Sequence, residues 1–305
     1  MKPNSDSWIF KILKRFVVSS LRKWFVYPLI RVYEQTIGLN NLPLYWYKDL
    51  NWGDALNPIL IELLSERKAR YTPYFFCDRF IAIGSILENA NERTEVWGSG
   101  LIREGIKLTS RPKKIHAVRG PLTRATLLED GIECPETFGD PALLLPFFFN
   151  PDVSKKYDVG IIPHYVDKNN PWVEMHRSDP SILVIDVQSD TWDFVKAVKS
   201  CRVILSSSLH GLICSDAYRV PNTWIQLSDN LIGGDFKFHD YYLSIGSGRP
   251  SPIINITNRE LSDIVGTAKC HDIKLDLIQL INSCPFLSKN NKQRFNNLLP
   301  DANHV

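Results

Sequence analysis

A chain of 305 residues suits one large domain or two ordinary ones, and 44% apolar with 23% charged residues is the composition of a globular protein. No uncharged run approaches the roughly 20 residues of a membrane span, and no apolar run with a small-residue cleavage site marks a secretory signal. Cys77, Cys134, Cys201, Cys214, Cys270 and Cys284 form no CxxC pair, which argues against a disulfide framework or a zinc site and for reduced, buried thiols in a cytosolic protein.

The net charge of +3 is unevenly spread. The first element, WIFKILKRFVVSSLRKWFVYPLIRVY, carries Lys11, Lys14, Arg15, Arg22, Lys23 and Arg31 and no acid, so the remainder of the chain is net acidic. On a helical wheel Lys11, Lys14, Arg15 and Arg22 share one face. Ile9, Ile12, Leu13, Phe16, Val17 and Trp24 share the other, with Lys23 intruding, and Pro28 is expected to end the helix. A basic amphipathic helix with tryptophan fits the surface of an anionic membrane. The alternative is a helix packed on the body with its basic face in water.

From residue 41 short apolar runs alternate with helix-like stretches. The expected strands are LPLYWY, RFIAIG, EVWG, KIHAVR, DVGII, ILVIDV, RVIL and TWIQL. The expected helices include ALNPILIELLSERK, PLTRATLLED, WDFVKAVKS and LICSDAYRV. This alternation predicts an α/β fold with parallel sheets. The proline-punctuated stretch PALLLPFFFNPDVSKK reads as a linker. The expected organisation is a basic arm over 1–40, a Rossmann-like domain over 41–150, a second over 151–287 and an asparagine-rich polar tail, ending in disorder, over 288–305.

In open parallel sheets ligands bind beyond the carboxyl ends of the strands. The residues there are Asn51-Trp52-Gly53-Asp54, Gly84-Ser85, Gly98-Ser99-Gly100, Arg119-Gly120-Pro121, and Ser206-Ser207-Ser208-Leu209-His210-Gly211. Small residues let a ligand approach the backbone, and each following helix offers unpaired N–H groups to an anion. Arg119 adds a guanidinium fork. The set suits a small anion held between two domains. Individually each has a plainer reading: Asp54 as a helix cap, Arg119 as a surface ion pair, His210 as a core histidine. GxGxxG, GxSxG, HExxH and DxD are all absent, so neither a dinucleotide, a hydrolase elbow nor a metal is called for.

In order and context, NWGD, the Gly-Ser turns, AVRGPLT, FGDPALLLP and SSSLHGLICSDAYRVP resemble the polysaccharide pyruvyl transferase family over about residues 42–250. GGDFKFHDYY is similar to the branch that decorates bacterial exopolysaccharides. The resemblance implies a fold similar to GT-B glycosyltransferases: two Rossmann-like domains facing across a cleft, here with an N-terminal amphipathic helix. The implied reaction moves the enolpyruvyl group of phosphoenolpyruvate onto two sugar hydroxyls and releases phosphate, with no metal or organic cofactor.

In that reading Asp54 and His210 are catalytic, Asp54 as base and counter-charge and His210 as an imidazolium serving phosphate and proton transfer. Asn51, Gly53, Ser85, Ser99, Arg119, Ser207, Ser208, Leu209, Lys237 and Asp240 bind substrate, with Arg119 on the donor's carboxylate or phosphate. Many members have Arg-Leu-His where this chain has Ser208-Leu209-His210, so Lys237 or Arg249 is expected to supply the missing cation. The expected partners are phosphoenolpyruvate, a lipid-linked carbohydrate acceptor and an anionic membrane surface, with no nucleic acid. The expected location is the cytoplasm, peripheral at the inner face of the cell membrane. Two rival readings remain: a GT-B sugar-nucleotide glycosyltransferase using Asp216 or Asp240 on the ribose, and an inactive membrane-bound carbohydrate-binding protein.

Overall fold

The computed structural model describes residues 26–29, 32, 41–48 and 51–298. Nine strands form two all-parallel sheets. The first has the order β2-β1-β3-β4-β5, from β1 (Leu42–Leu44), β2 (Ala69–Tyr71), β3 (Arg79–Ile81), β4 (Thr94–Trp97) and β5 (Lys114–Ala117). The second has the order β7-β6-β8-β9, from β6 (Tyr157–Ile162), β7 (Ile182–Val184), β8 (Cys201–Ser206) and β9 (Asn222–Trp224). Only β2 was not anticipated; three half-buried residues are too few to show a period.

Helices α1 (Trp52–Ser65) and α2 (Pro121–Glu129) belong to the first half of the chain. They are followed by α3 (Pro171–Met175), α4 (Thr191–Ser200), α5 (Leu209–Ala217), α6 (Phe236–Ser244), α7 (Leu261–Val265), α8 (Leu277–Asn282) and α9 (Lys289–Leu298).

Both sheets share a topological feature. In each, the second strand lies to one side of the first and the third strand to the other, so the strand order reverses between β1 and β3 and again between β6 and β8. Connections leaving such neighbours diverge, which opens a crevice at their carboxyl ends.

Helix α1 ties the halves together. Asn51 caps it by accepting from the Gly53 and Asp54 amides. Buried Asn57 fastens it to the end of β3, accepting from the Ile83 amide at 2.9 Å and donating to the Ile83 carbonyl at 3.1 Å. Trp52, fully buried, donates its backbone N–H to the Val187 carbonyl at 2.7 Å and its indole N–H to the Thr191 carbonyl at 3.1 Å, and stacks on Phe194. One continuous core therefore contains Trp52 and Trp97 from one half with Phe194, Leu212 and Tyr241 from the other.

Two stretches differ from expectation. The supposed linker begins as a buried 3-10 segment, Pro141–Phe147, whose residues 142–145 enter that core. The supposed polar tail is helical through residue 298 and packs on α1. The Asn291 amide donates to the Leu63 and Leu64 carbonyls, and the Ser288 N–H also reaches Leu64, satisfying carbonyls of α1's last turn. Phe295 is buried against Phe147 and Phe148. Asparagines that look solvated in sequence here cap another helix.

Residues 299–305 and most of the basic arm lie outside the described residues. Of the arm, residues 27–29 are helical, so the helical path passes through Pro28 rather than ending before it. Tyr27 stacks on Phe76 with ring centroids 4.0 Å apart. No helix among the described residues is long and apolar enough to cross a membrane. Five of the six cysteines are buried, and Cys270 is exposed.

Candidate active site

Residues from both strand-order reversals line one cavity of about 420 Å³. Asn51 and Asp54 follow β1, Ser85 follows β3, His164 follows β6, and Ser208, Leu209 and His210 follow β8; Lys237 enters from α6. Tyr47, Glu88, Arg103 and Tyr165 stand at the same cavity.

The serines after β8 have separate tasks. The Ser206 hydroxyl donates toward carbonyls at 162 and 208 and accepts the Ser208 N–H. The Ser207 hydroxyl accepts the His164 N–H at 2.9 Å. Ser208 is the N-cap of α5 but does not cap it with its side chain, so its hydroxyl is free to face the cavity. The first N–H groups of α5 have no intrahelical carbonyl and add the helix's positive end.

The other two helix N-termini expected to serve the ligand are occupied from within. Asn51 and the Val187 carbonyl take the α1 amides, and Asp240 Oδ1 accepts the Thr123 N–H of α2 at 2.9 Å. Of these three helices, α5 is the one whose start lines the cavity without a side-chain cap.

His210 is 8% exposed, and among the described residues its Nε2 has no hydrogen-bond partner. Its ring lies on α1: a Cβ at Gly53 would sit 2.3 Å from it. Gly53 therefore acts by leaving room for the imidazole. Burial first, then the charges of Lys237 and Arg119 and nearby His164, push the His210 pKa down to about 3. The imidazolium expected from sequence therefore requires a bound anion, since burial and the neighbouring cations hold the ring neutral without one.

Asp54 shows the opposite shift. Burial, reinforced by the carboxyl of Asp140 and opposed by Lys237, raises it to about 7. Asp54 Oδ2 accepts from Asn51 Nδ2 at 2.5 Å. Asp140, fully buried with one oxygen unpartnered, is itself raised to about 6. Burial and Arg119 lower Lys237 to about 8, while Asp54 opposes them. Lys237 is 7% exposed; among the described residues its ammonium makes one hydrogen bond, to the Ile232 carbonyl at 3.4 Å, and lies 5.6 Å from the centre of the Phe238 ring.

Arg119 does not line the cavity. It is fully buried, donating to Asp240 from Nε at 3.0 Å, to Ser85 from Nη1 at 2.6 Å and to the Leu101 carbonyl from Nη2 at 2.7 Å. Asp240 also accepts from the Thr123 hydroxyl at 2.7 Å. The direct substrate contacts expected of Arg119 and Asp240 are thus replaced by a buried ion pair joining β5, α2 and α6. Its link to the cavity is Ser85, whose oxygen accepts from Arg119 and whose hydroxyl proton is left to donate. Gly120 permits this junction, because a Cβ there would lie 1.9 Å from the Asp240 carbonyl oxygen. Arg119→Ala should therefore cost about 3–5 kcal/mol of stability by stranding a buried carboxylate, and Arg119→Lys should restore little of it because an ammonium lacks the fork. A urea titration checks both; unchanged midpoints would mean that the pair holds nothing together.

Gly53, Ser99 and Ser207 are likewise support rather than lining; the Ser99 hydroxyl donates to the Gly84 carbonyl at 2.8 Å. Arg249 is exposed and away from the cavity, so Lys237 is the buried cation there. His164 was missed in the sequence, although the same rule applied to DVGII reaches Pro163-His164 directly.

An α/β chain with an uncapped helix N-terminus, a buried lysine and an elevated carboxyl at paired strand-order reversals has the equipment of a group-transfer enzyme. The chain belongs to the polysaccharide pyruvyl transferase family, whose model matches residues 6–229. It is similar to the uncharacterized protein L143 of Acanthamoeba polyphaga mimivirus, 34% identical over 221 residues that cover 67% of this chain and 74% of that one. It is also similar to the succinoglycan biosynthesis protein ExoV of Rhizobium meliloti (strain 1021), 28% identical over 214 residues covering 67% of this chain and 65% of the relative.

Proposed function

We propose that this transferase moves the enolpyruvyl carbons of phosphoenolpyruvate onto two hydroxyls of one sugar, forming a cyclic ketal and releasing phosphate. The observation that carries the reading is the convergence of Ser208 and His210 at the start of α5, Lys237 and Asp54 on one cavity. Family membership and the likeness to a succinoglycan biosynthesis protein favour an exopolysaccharide acceptor. We read the two parallel sheets as the Rossmann-like halves of a GT-B-like arrangement, 41–150 and 151–287.

In this mechanism the donor's phosphate lies at α5, held by Ser208 and Lys237. Its negative charge offsets the cations around His210, so the imidazole can take a proton and pass it to the departing phosphate. Asp54, with a pKa of about 7, is half protonated near neutrality and can both receive a hydroxyl proton and face the oxocarbenium-like centre. The donor's methylene gains one proton to become methyl. One sugar hydroxyl attacks C2, the second displaces phosphate, and their two protons account for the methyl and phosphate protons. No metal or organic cofactor enters the scheme.

The test is phosphate release from phosphoenolpyruvate with candidate lipid-linked oligosaccharides, with mass spectrometry of the product. Turnover of nucleotide sugars instead would overturn it. Two buried groups weigh against that rival. Asp240 is committed to Arg119 and Thr123, and Asp216 accepts from Asn222, Tyr241 and His271, so neither is free to hold a ribose.

With Asp54 as base, kcat/KM falls as the pH drops through about 7. Asp140→Asn removes a neighbouring negative charge and should move that limb to lower pH. An unmoved limb would dissociate Asp54 from it.

The basic arm is assigned to the anionic inner surface of the membrane that carries the acceptor. Each cation near such a surface contributes roughly 1 kcal/mol. Deleting residues 1–33 should abolish sedimentation with anionic vesicles and spare activity on a short soluble acceptor. Insoluble protein would instead make the arm part of the body.

A further inference from the structure

We propose that His164 is a donor-binding residue: its Nε2–H, fixed toward the cavity, grips an oxyanion of the donor beside Lys237. This rests on the donor reading above and adds a contact from β6 that the sequence motifs do not contain.

The local geometry sets both the position and the tautomer of the ring. His164 leaves β6 where the order of the second sheet reverses. Its backbone N–H is held by the Ser207 hydroxyl at 2.9 Å, so it is registered against the same serine turn that opens α5. Its Nδ1 accepts the Val166 N–H at 3.4 Å, and its ring packs on Tyr165 with centroids 4.2 Å apart. A neutral imidazole that accepts at Nδ1 carries its hydrogen on Nε2. Among the described residues that Nε2 has no hydrogen-bond partner, and the residue lines the cavity.

Electrostatics agree. Burial and the Lys237 charge hold the pKa of His164 down to about 4, so at neutral pH it is a donor without charge. The charged or titratable groups that share the cavity with it are Lys237 on α6, His210 on α5, Asp54 on α1, and Tyr47, Glu88, Arg103 and Tyr165. A site that already has one buried ammonium gains an anion contact from a neutral donor without adding cation repulsion. Ser208 supplies a hydroxyl but no charge, so Lys237 and His164 together take up the anion.

The experiment is calorimetric titration of the full chain with inorganic phosphate and with phosphoenolpyruvate, neither of which requires turnover or an acceptor. His164→Phe keeps a ring against Tyr165 and loses the donor. His164→Asn keeps an acceptor for the Val166 N–H but falls short of the Nε2 position. Each should weaken both anions by about 10-fold or more, the scale of one hydrogen bond to a charged group. His164→Gln restores an N–H near that position and should bind within about 3-fold of wild type. In turnover the loss should appear in KM for the donor more than in kcat. Wild-type affinity in folded His164→Phe or His164→Asn would overturn the assignment alone. Failure of the wild-type chain to bind either anion would overturn the donor reading and this assignment with it.

Discussion

A His210→Gln chain should turn over at least about 100-fold more slowly than wild type, the usual cost of losing a positioned proton carrier. Glutamine fills much of the space against Gly53, so the loss should not come from collapse of the α1 contact. The same variant has a pH signature in stability. In the folded chain the His210 pKa lies near 3, against 6.5 when exposed, so the unfolded chain binds the extra proton. The native state is therefore penalised progressively as pH falls from 6.5 toward 3, by about 2 kcal/mol at pH 5. Asp54 and Asp140 run the other way. Their raised pKa values favour the folded state at low pH, an advantage lost as pH rises through about 6 to 7. The wild-type profile is consequently shallow. Removing His210 leaves only His164, lowered to about 4, to oppose the carboxyls, so the stability of the variant relative to wild type should grow by about 2 kcal/mol between pH 7 and pH 5. Urea titrations at the two pH values measure this. A constant difference would show that His210 is already charged or already solvated, and near-normal turnover would remove it from the mechanism.

Replacing Lys237 with methionine should separate binding from stability. The ammonium is buried, and among the described residues it meets a distant carbonyl and the face of Phe238 but no carboxylate within ion-pair distance. Removing it should forfeit a charge-assisted contact worth roughly 1.5–3 kcal/mol, about 10- to 150-fold in affinity for phosphate and for phosphoenolpyruvate. The folded chain should nevertheless melt at a higher temperature, because a methionine of similar length spares the desolvation of an unpaired cation. Calorimetric titration paired with a thermal melt reads both. Unchanged anion affinity would leave the site without its principal charge, and a lower melting temperature would mean that Lys237 is paired in the resting protein.

The α/β class, eight of the nine strands among the described residues and most of the loops that make the cavity are legible in the amino-acid order. Those features are local: an apolar run followed by Gly, Ser or Asn marks a strand end wherever the strand is placed. Asn51, Asp54, Ser85, Ser208, Leu209, His210 and Lys237 were all identified that way or through a motif, and all line the cavity. Which of the candidate site residues face the cavity and which support it from behind follows from long-range packing. Arg119 and Asp240 lie 121 positions apart and satisfy each other in the dry interior, which nothing in AVRGPLT or FKFHDYY announces. Gly53 is required by a ring from the other half of the chain, and Asn291 is required by the last carbonyls of α1. The charge state of His210 belongs to the same category. An imidazole is titratable in any sequence, but burial beside Lys237 and Arg119 sets its pKa, and desolvation and proximity to distant cations exist only after the chain has folded.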